Sequence, residues 1–213
     1  IARPVYHGMS GNRLAILNNG IAQSGQQWGN DHAPEIDAFS ADKLTVIQGV
    51  QTLAQNGPNL GGMVLVEMKP VPLDPHLHGM LNYGFMSNGV GHSINTRIEK
   101  SGEWAAWRMA LTAKKFGDRE TPDYFLSNTG SQQLNGSLLI EKEPKPHWRS
   151  SLYLSTFNTE IGILRGSHIG NITDLQEAFS REVPFFTEDA RSYSIGNPRQ
   201  VVSHHLLKFK NTL

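Results

Sequence analysis

Pro4-Val5-Tyr6-His7-Gly8 places an imidazole and a bare backbone segment at the end of a short β-favouring run. That pairing suits ligand contact, because imidazole exchanges hydrogen bonds near neutral pH and glycine lets a ligand approach the main chain. His76-x-His78 has the spacing with which two imidazoles of one strand chelate a metal, but no third ligand suggests itself. His204-His205 falls in a run that reads as strand, where adjacent side chains point to opposite faces, so the pair does not chelate together. Trp104 and Trp107 read as core packing and Gly166-x-x-x-Gly170 as a turn. The chain has no phosphate-binding Gly-Lys-Ser/Thr loop, no Gly-x-Ser-x-Gly elbow and no Gly-x-Gly-x-x-Gly after a strand. It also has no cysteine, which excludes disulfides, thiolate metal sites and a cysteine nucleophile.

The elements that must position these residues come from 213 residues, a length that suits one domain. A hydrophobic fraction of 38% and an aromatic fraction of 8% supply a core. Lys plus Arg and Asp plus Glu balance at 19 each, which argues against nucleic acid or an anionic membrane as partner. No apolar run reaches the roughly 20 residues of a membrane-spanning helix. Ile1 is not methionine and no signal-like segment follows it, so the start reads as trimmed, with any export signal upstream.

The pattern predicts a strand at Val5-Tyr6-His7 and a helix from Ser10 to Asn19, stopped by Asn18-Asn19-Gly20. A loop follows over 21–34, then a short strand at Ala38-Phe39-Ser40. A helix is expected over Lys43 to Asn56 with Leu44, Ile47 and Leu53 buried, broken at Asn56-Gly57-Pro58-Asn59. Gly61 to Lys69 reads as a central strand, and Pro70 to Gly102 as loop with short strands. Glu103 to Phe116 reads as an amphipathic helix with Trp104, Trp107 and Leu111 on one side. Gly117 to Asn135 reads as irregular. Strands are expected at Leu138–Ile140, Leu152–Leu154, Ile161–Leu164, Ser192–Ile195 and His204–Lys210, with a turn at Asn197-Pro198. A capping box opens a helix over Thr173–Phe179.

The order of three segments, YHGMSGNRLAILNNGIAQSGQQWGN (6–30), AFSAD (38–42) and GGMVLVEMK (61–69), resembles the N-terminal half of diphtheria-toxin-like and poly-ADP-ribose-polymerase-like ADP-ribosyltransferases. SYSIGNPRQVVSHHLLKFK (192–210) is similar to that family's closing segment. The resemblance covers roughly the first 70 and the last 25 residues. It implies an α+β ADP-ribosyltransferase-like fold, with two small packed antiparallel-rich sheets, flanking helices and a divergent insertion over about 70–190. It also implies that NAD, the substrate, binds in a cleft without any metal. His7 would hold the adenosine ribose and Gly8 the nicotinamide carboxamide; Gly20 and Ile21 would lie near the adenine under the loop of 22–34. Breaking the nicotinamide–ribose bond builds positive charge on the ribose, which a carboxylate and a stacked aromatic ring stabilise.

Departures from the pattern are as informative. The family's first tyrosine falls on Phe39 beside Ser40, its second on Val50, and its glutamate on Ser192. Of the three signature residues His7 alone is kept. A replacement acid could be Glu188 or Glu182. Glu141-x-Glu143 matches the two-glutamate motif of the arginine-specific branch, but that branch's N-terminal arginine would have to stand at His7. The expectation is a mono-ADP-ribosyltransferase that modifies a protein target, of the kind found among secreted bacterial toxins and effectors acting on host proteins such as ubiquitin or a GTPase. The alternative is a related module that binds a protein or nucleotide without turnover. Nothing in the residues sets the oligomeric state.

Overall fold

The computed structural model describes residues 5–23, 36–55, 61–145, 147–164, 166 and 170–212. Most of the loop expected over 21–34, the break at 56–59 and the inside of Gly166-x-x-x-Gly170 lie outside them. Strands dominate. β1 (Leu14–Asn18), β2 (Ile21–Ala22), β3 (Lys43–Ile47) and β4 (Gly62–Glu67) form a four-stranded sheet in the order β2-β1-β4-β3. Next come β5 (His78–Met86), β6 (Gly91–Ser101), β7 (Ala106–Phe116), β8 (Arg119–Glu120), β9 (Phe125–Leu126), β10 (Ser131–Lys145) and β11 (Trp148–Gly162). The chain ends with α1 (Ile172–Ser180), β12 (Thr187–Glu188) and β13 (Arg199–Thr212). The large sheet has the order β13-β11-β10-β7-β6-β5, all antiparallel, and β12-β9-β8 makes a small third sheet at one end of it.

The flanking helices expected from the sequence are largely absent. Ser10 to Asn19 is a 3-10 turn followed by β1, Lys43 to Asn56 is β3 followed by a 3-10 turn, and Glu103 to Phe116 contains β7. The strand expected at Ala38-Phe39-Ser40 is a 3-10 turn, capped where Asp37 accepts from the Phe39 N–H at 3.1 Å. Trp107, Met109, Leu111 and Ala113 show why β7 is extended: they alternate with Arg108, Ala110 and Thr112, a period of two that a strand separates onto two faces. The stretch read mainly as loop before Gly102 contains β5 and β6. α1 forms where a helix was expected, with Asn171 as its cap accepting from the Asp174 N–H at 2.8 Å. β4, β10, β11 and β13 run through the strands expected at Gly61–Lys69, Leu138–Ile140, Leu152–Leu154 and His204–Lys210. β11 ends at Gly162, inside the strand expected over Ile161–Leu164, and Ser192–Ile195, expected as a strand, pairs with no neighbour as one.

Register fixes which side chains share a face of the large sheet. Arg108, Leu139, Tyr153 and Lys208 lie in one cross-strand row, and Met109, Leu138, Leu154 and Leu207 in the next. The first face packs against the N-terminal half. Its core is Val71, Ala106, Leu139, Tyr153 and Leu206, with Ile21 and Met68 against it. That face is also strongly polar: Asn95, Arg108, Thr112, Asn135 and Thr159 are all buried.

An ionic joint ties the two sheets. Arg108, 3% exposed at its side chain, donates to Glu99 at 2.5 Å and to Asp42 at 3.0 Å, and Arg97 donates to Asp42 at 2.5 Å. Arg108 also donates to the carbonyl of Lys69 at 2.8 Å. Burial alone would raise the Asp42 pKa, but the Arg97 hydrogen bond, the Lys69 N–H and the two guanidinium charges outweigh it and hold the carboxyl below 3.8. No helix among the described residues is long and apolar enough to cross a membrane.

Candidate functional site

Two tight turns flank β1, one ahead of the Gly11–Arg13 3-10 turn that leads into it and one directly at its end. Tyr6 and Met9 exchange backbone hydrogen bonds at 2.9 and 2.8 Å around His7 and Gly8, both with positive φ (48° and 75°). Asn19 and Gly20 (φ 50° and 79°) make the same kind of turn between β1 and β2, where Asn18 faces Ile21. Positive φ at both central residues is the hairpin geometry that matches strand twist. His7 is exposed and its Nε2 meets the hydroxyl of its own neighbour, Tyr6, at 2.9 Å. The expected strand into His-Gly is therefore a hairpin turn.

The cleft with the richest chemistry opens at the other end of β1, between the two sheets. It is about 390 Å³ and is lined by Asn19, Gly20, Glu67, Lys69, Glu141, Arg149, Tyr153, Lys208 and Lys210, among others. β13 brings Lys208 and Lys210 to one face because they are two residues apart on a strand. Lys208 Nζ donates to the Asn19 carbonyl, and a Cβ placed on Gly20 would lie 3.3 Å from that ammonium. Burial first, then the charge of Lys210, lowers the Lys208 pKa below 10.5. Tyr153 is pushed above 10.0 chiefly by burial, with the charge of Asp37 adding to it.

Both carboxylates of this cleft are already engaged. Glu141 accepts from the Val71 N–H at 2.8 Å and pairs with Arg149 at 2.9 Å; Glu67 lies 3.9 Å from Lys43. Among the described residues no carboxylate pairs with Lys69, Lys208 or Lys210. The cleft thus presents more positive than negative charge. Its size falls in the range of small-molecule sites, roughly 300–1,000 Å³.

A second cleft, of about 480 Å³, lies where the chain excursions after β7 and β11 meet, and is lined by Asp118, Asn128, Glu188, Arg191 and Ser192. The Ser192 carbonyl accepts from the Asp118 N–H at 2.9 Å, and its hydroxyl accepts from the Ser194 N–H at 3.0 Å, so Ser192 ties two segments together. Glu188 sits on β12, paired with Phe125. Glu182 is exposed beyond α1, and Val50 is 82% exposed on the 3-10 turn after β3. Phe39 lies under Lys114, whose Nζ is 5.0 Å from the ring centre, and Ser40 donates to the Asp37 carbonyl at 2.7 Å. Ile21 packs on the core.

The expected NAD site is therefore distributed over several places. Gly20 and Ile21 are at the end of β1 remote from His7 and Gly8, and five strand residues span roughly 17 Å. Glu188 and Ser192 lie beyond Arg199, at the end of β13 away from Lys208, and nine strand steps span roughly 30 Å. His76 Nδ1 and His78 Nε2 each meet Asp74, at 2.7 and 2.9 Å, and the His76 backbone N–H first, then these ring nitrogens, hold its carboxyl down to about 2. No group of three or more His, Asp or Glu among the described residues is placed to hold a metal ion. The chain matches no family model, no curated protein and no solved structure. Of the residues that line the cationic cleft, Gly20 and Glu141 were marked in the sequence but none of its four cations was. Lys208-Phe209-Lys210 carries a visible alternation there, but Lys69 and Arg149 join it through the fold alone.

Proposed function

We propose that this chain is a non-catalytic binding module whose inter-sheet cleft takes a phosphate-bearing ligand of nucleotide size. The observation that carries this reading is the cleft's four cationic side chains against two carboxylates that already have partners. Lys208 is held partly out of water, which lowers its affinity for a proton; an anion beside it restores that affinity. Arg149 supplies a planar donor fork.

Calorimetry with ADP-ribose, NAD and inorganic pyrophosphate tests it. Binding that weakens about tenfold or more in Lys208→Ala and Lys210→Ala supports the reading, at roughly 1.4 kcal/mol per tenfold. Absence of heat with all three ligands defeats it.

The second reading is an NAD-dependent mono-ADP-ribosyltransferase acting on a protein. Gly20 lining the cleft favours it, because the family resemblance puts that residue beside the adenine. Transfer of label from NAD to a protein acceptor, lost in His7→Ala and in Glu188→Gln, would replace the first reading with this one.

A further inference from the structure

Among the described residues, the face of the six-stranded sheet that points away from the four-stranded sheet is uncovered, and most of its side chains are apolar. Leu81, Tyr83, Phe85, Ile94, Met109, Leu111, Leu134, Leu154, Leu207 and Phe209 all stand exposed on it. Register arranges them in continuous rows. Ile98, Met109, Leu138, Leu154 and Leu207 form one row across five strands, and Trp107, Ile140, Leu152 and Phe209 form the next. Charged side chains on this face are confined to its two ends, Lys100 and Lys142 at one and Lys115, Glu160 and Arg199 at the other.

We infer that this face is a homodimer interface, covered in solution by the same face of a second copy. Six strands about 4.8 Å apart and four rows about 6.8 Å apart make a patch of roughly 800 Å². That equals the ~800 Å² which each partner contributes to a standard stable interface. An uncharged centre with charges at the margins is the anatomy of a protein–protein interface. Face-to-face stacking of antiparallel sheets about 10 Å apart is the usual way such a surface is covered, and a two-fold axis lets one patch complement itself. Formal net charge of +0 removes the long-range repulsion that would oppose association of identical chains.

A lipid surface fits less well. Thr96, Thr156, Asn158, Ser203 and His205 lie on the same face, and Asn158 already shares hydrogen bonds with Ser203 and Thr156 at 2.9 Å each. Hydrocarbon would leave the remaining polar capacity of that corner unmet.

Sedimentation equilibrium on the 213-residue chain tests the inference, with Met109→Glu, Leu207→Glu and, as a control on α1, Leu175→Glu. The expected result is a closed dimer at about 100 μM that becomes monomeric in the first two variants, a weakening of about 100-fold or more, while the control stays dimeric. The substituted positions are exposed in the monomer, so far-ultraviolet circular dichroism and the urea midpoint of the monomeric variants should be retained. Four outcomes overturn the inference: a wild-type monomer at that concentration, a dimer that survives both face variants, open-ended larger species, or a monomer that instead binds phosphatidylcholine vesicles.

Discussion

Leu206 and Leu207 are neighbours on β13, yet Leu206 is 8% exposed and Leu207 67%. The contrast extends over the whole sheet. The face that holds Leu206 is buried and carries Arg108, Asn95, Thr112 and Asn135; the face that holds Leu207 is open and carries leucine, methionine and aromatic side chains. Burial here follows topology more than hydrophobicity. The N-terminal half docks where it can place Asp42 between two guanidinium groups and the Asn19-Gly20 turn over Lys208, and that docking face sets buried polar side chains beside its apolar core. The apolar face is what remains.

The largest break in this contrast should come from the ionic joint. Arg108→Ala leaves Asp42 and Glu99 short of a partner behind the four-stranded sheet, and urea unfolding should show a loss of about 3–5 kcal/mol. Next is the neighbouring pair. Leu206→Ala should cost about 2–5 kcal/mol, whereas Leu207→Ala, measured at a concentration where the chain is monomeric, should stay within about 0.5 kcal/mol. Equal losses at the two positions would mean that the open face is covered within one chain.

The pH dependence sharpens the same comparison. Asp42 has its folded pKa below the ordinary 3.8, so its contribution is present above 3.8 and is lost as pH falls through the folded value. Acid titration of stability should therefore lose part of its slope below 3.8 in Asp42→Asn, and no such change should accompany Leu207→Ala. The smallest effect concerns the cleft rim. Gly20→Ala forces a Cβ into positive φ beside Lys208 and should cost about 1 kcal/mol, with a parallel loss of anion affinity in calorimetry.

How much of this was legible varies from segment to segment. Gly62–Glu67 was readable because a continuous apolar run between glycine and charge fits a covered strand, and 172–180 because Thr173-Asp174-Leu175-Gln176 has capping-box spacing, although the helix is capped two residues earlier, at Asn171. β1 was misread because Leu14, Ile16 and Leu17 satisfy a helical spacing as well as an extended one. Asn19-Gly20 fits a helix stop and a two-residue hairpin alike, and the antiparallel partner Ile21–Ala22 selects the hairpin. Trp104, Trp107 and Leu111 have helical spacing, but only the last two lie in β7, where pairing with both β6 and β10 makes extended backbone the lower-energy choice; Trp104, expected in the core, stands 77% exposed before the strand. The cationic cleft was not readable, since Lys69, Arg149 and Lys208 are far apart in the chain.

The opening motif, Tyr6-His7-Gly8, determined a local fact: a histidine and a glycine that accept positive φ in a tight turn. By itself the sequence also determined alternation along the long strands, the balance of charge and the helix at 172–180. Which face of each strand is buried, and which cations meet in one cleft, was decided by tertiary structure. Alternation separates two faces but does not say which one a neighbour will cover. Here the choice fell to Asp42, Arg97 and Arg108, charged groups that lose hydration on burial and so must find one another, and only the folded chain brings them together.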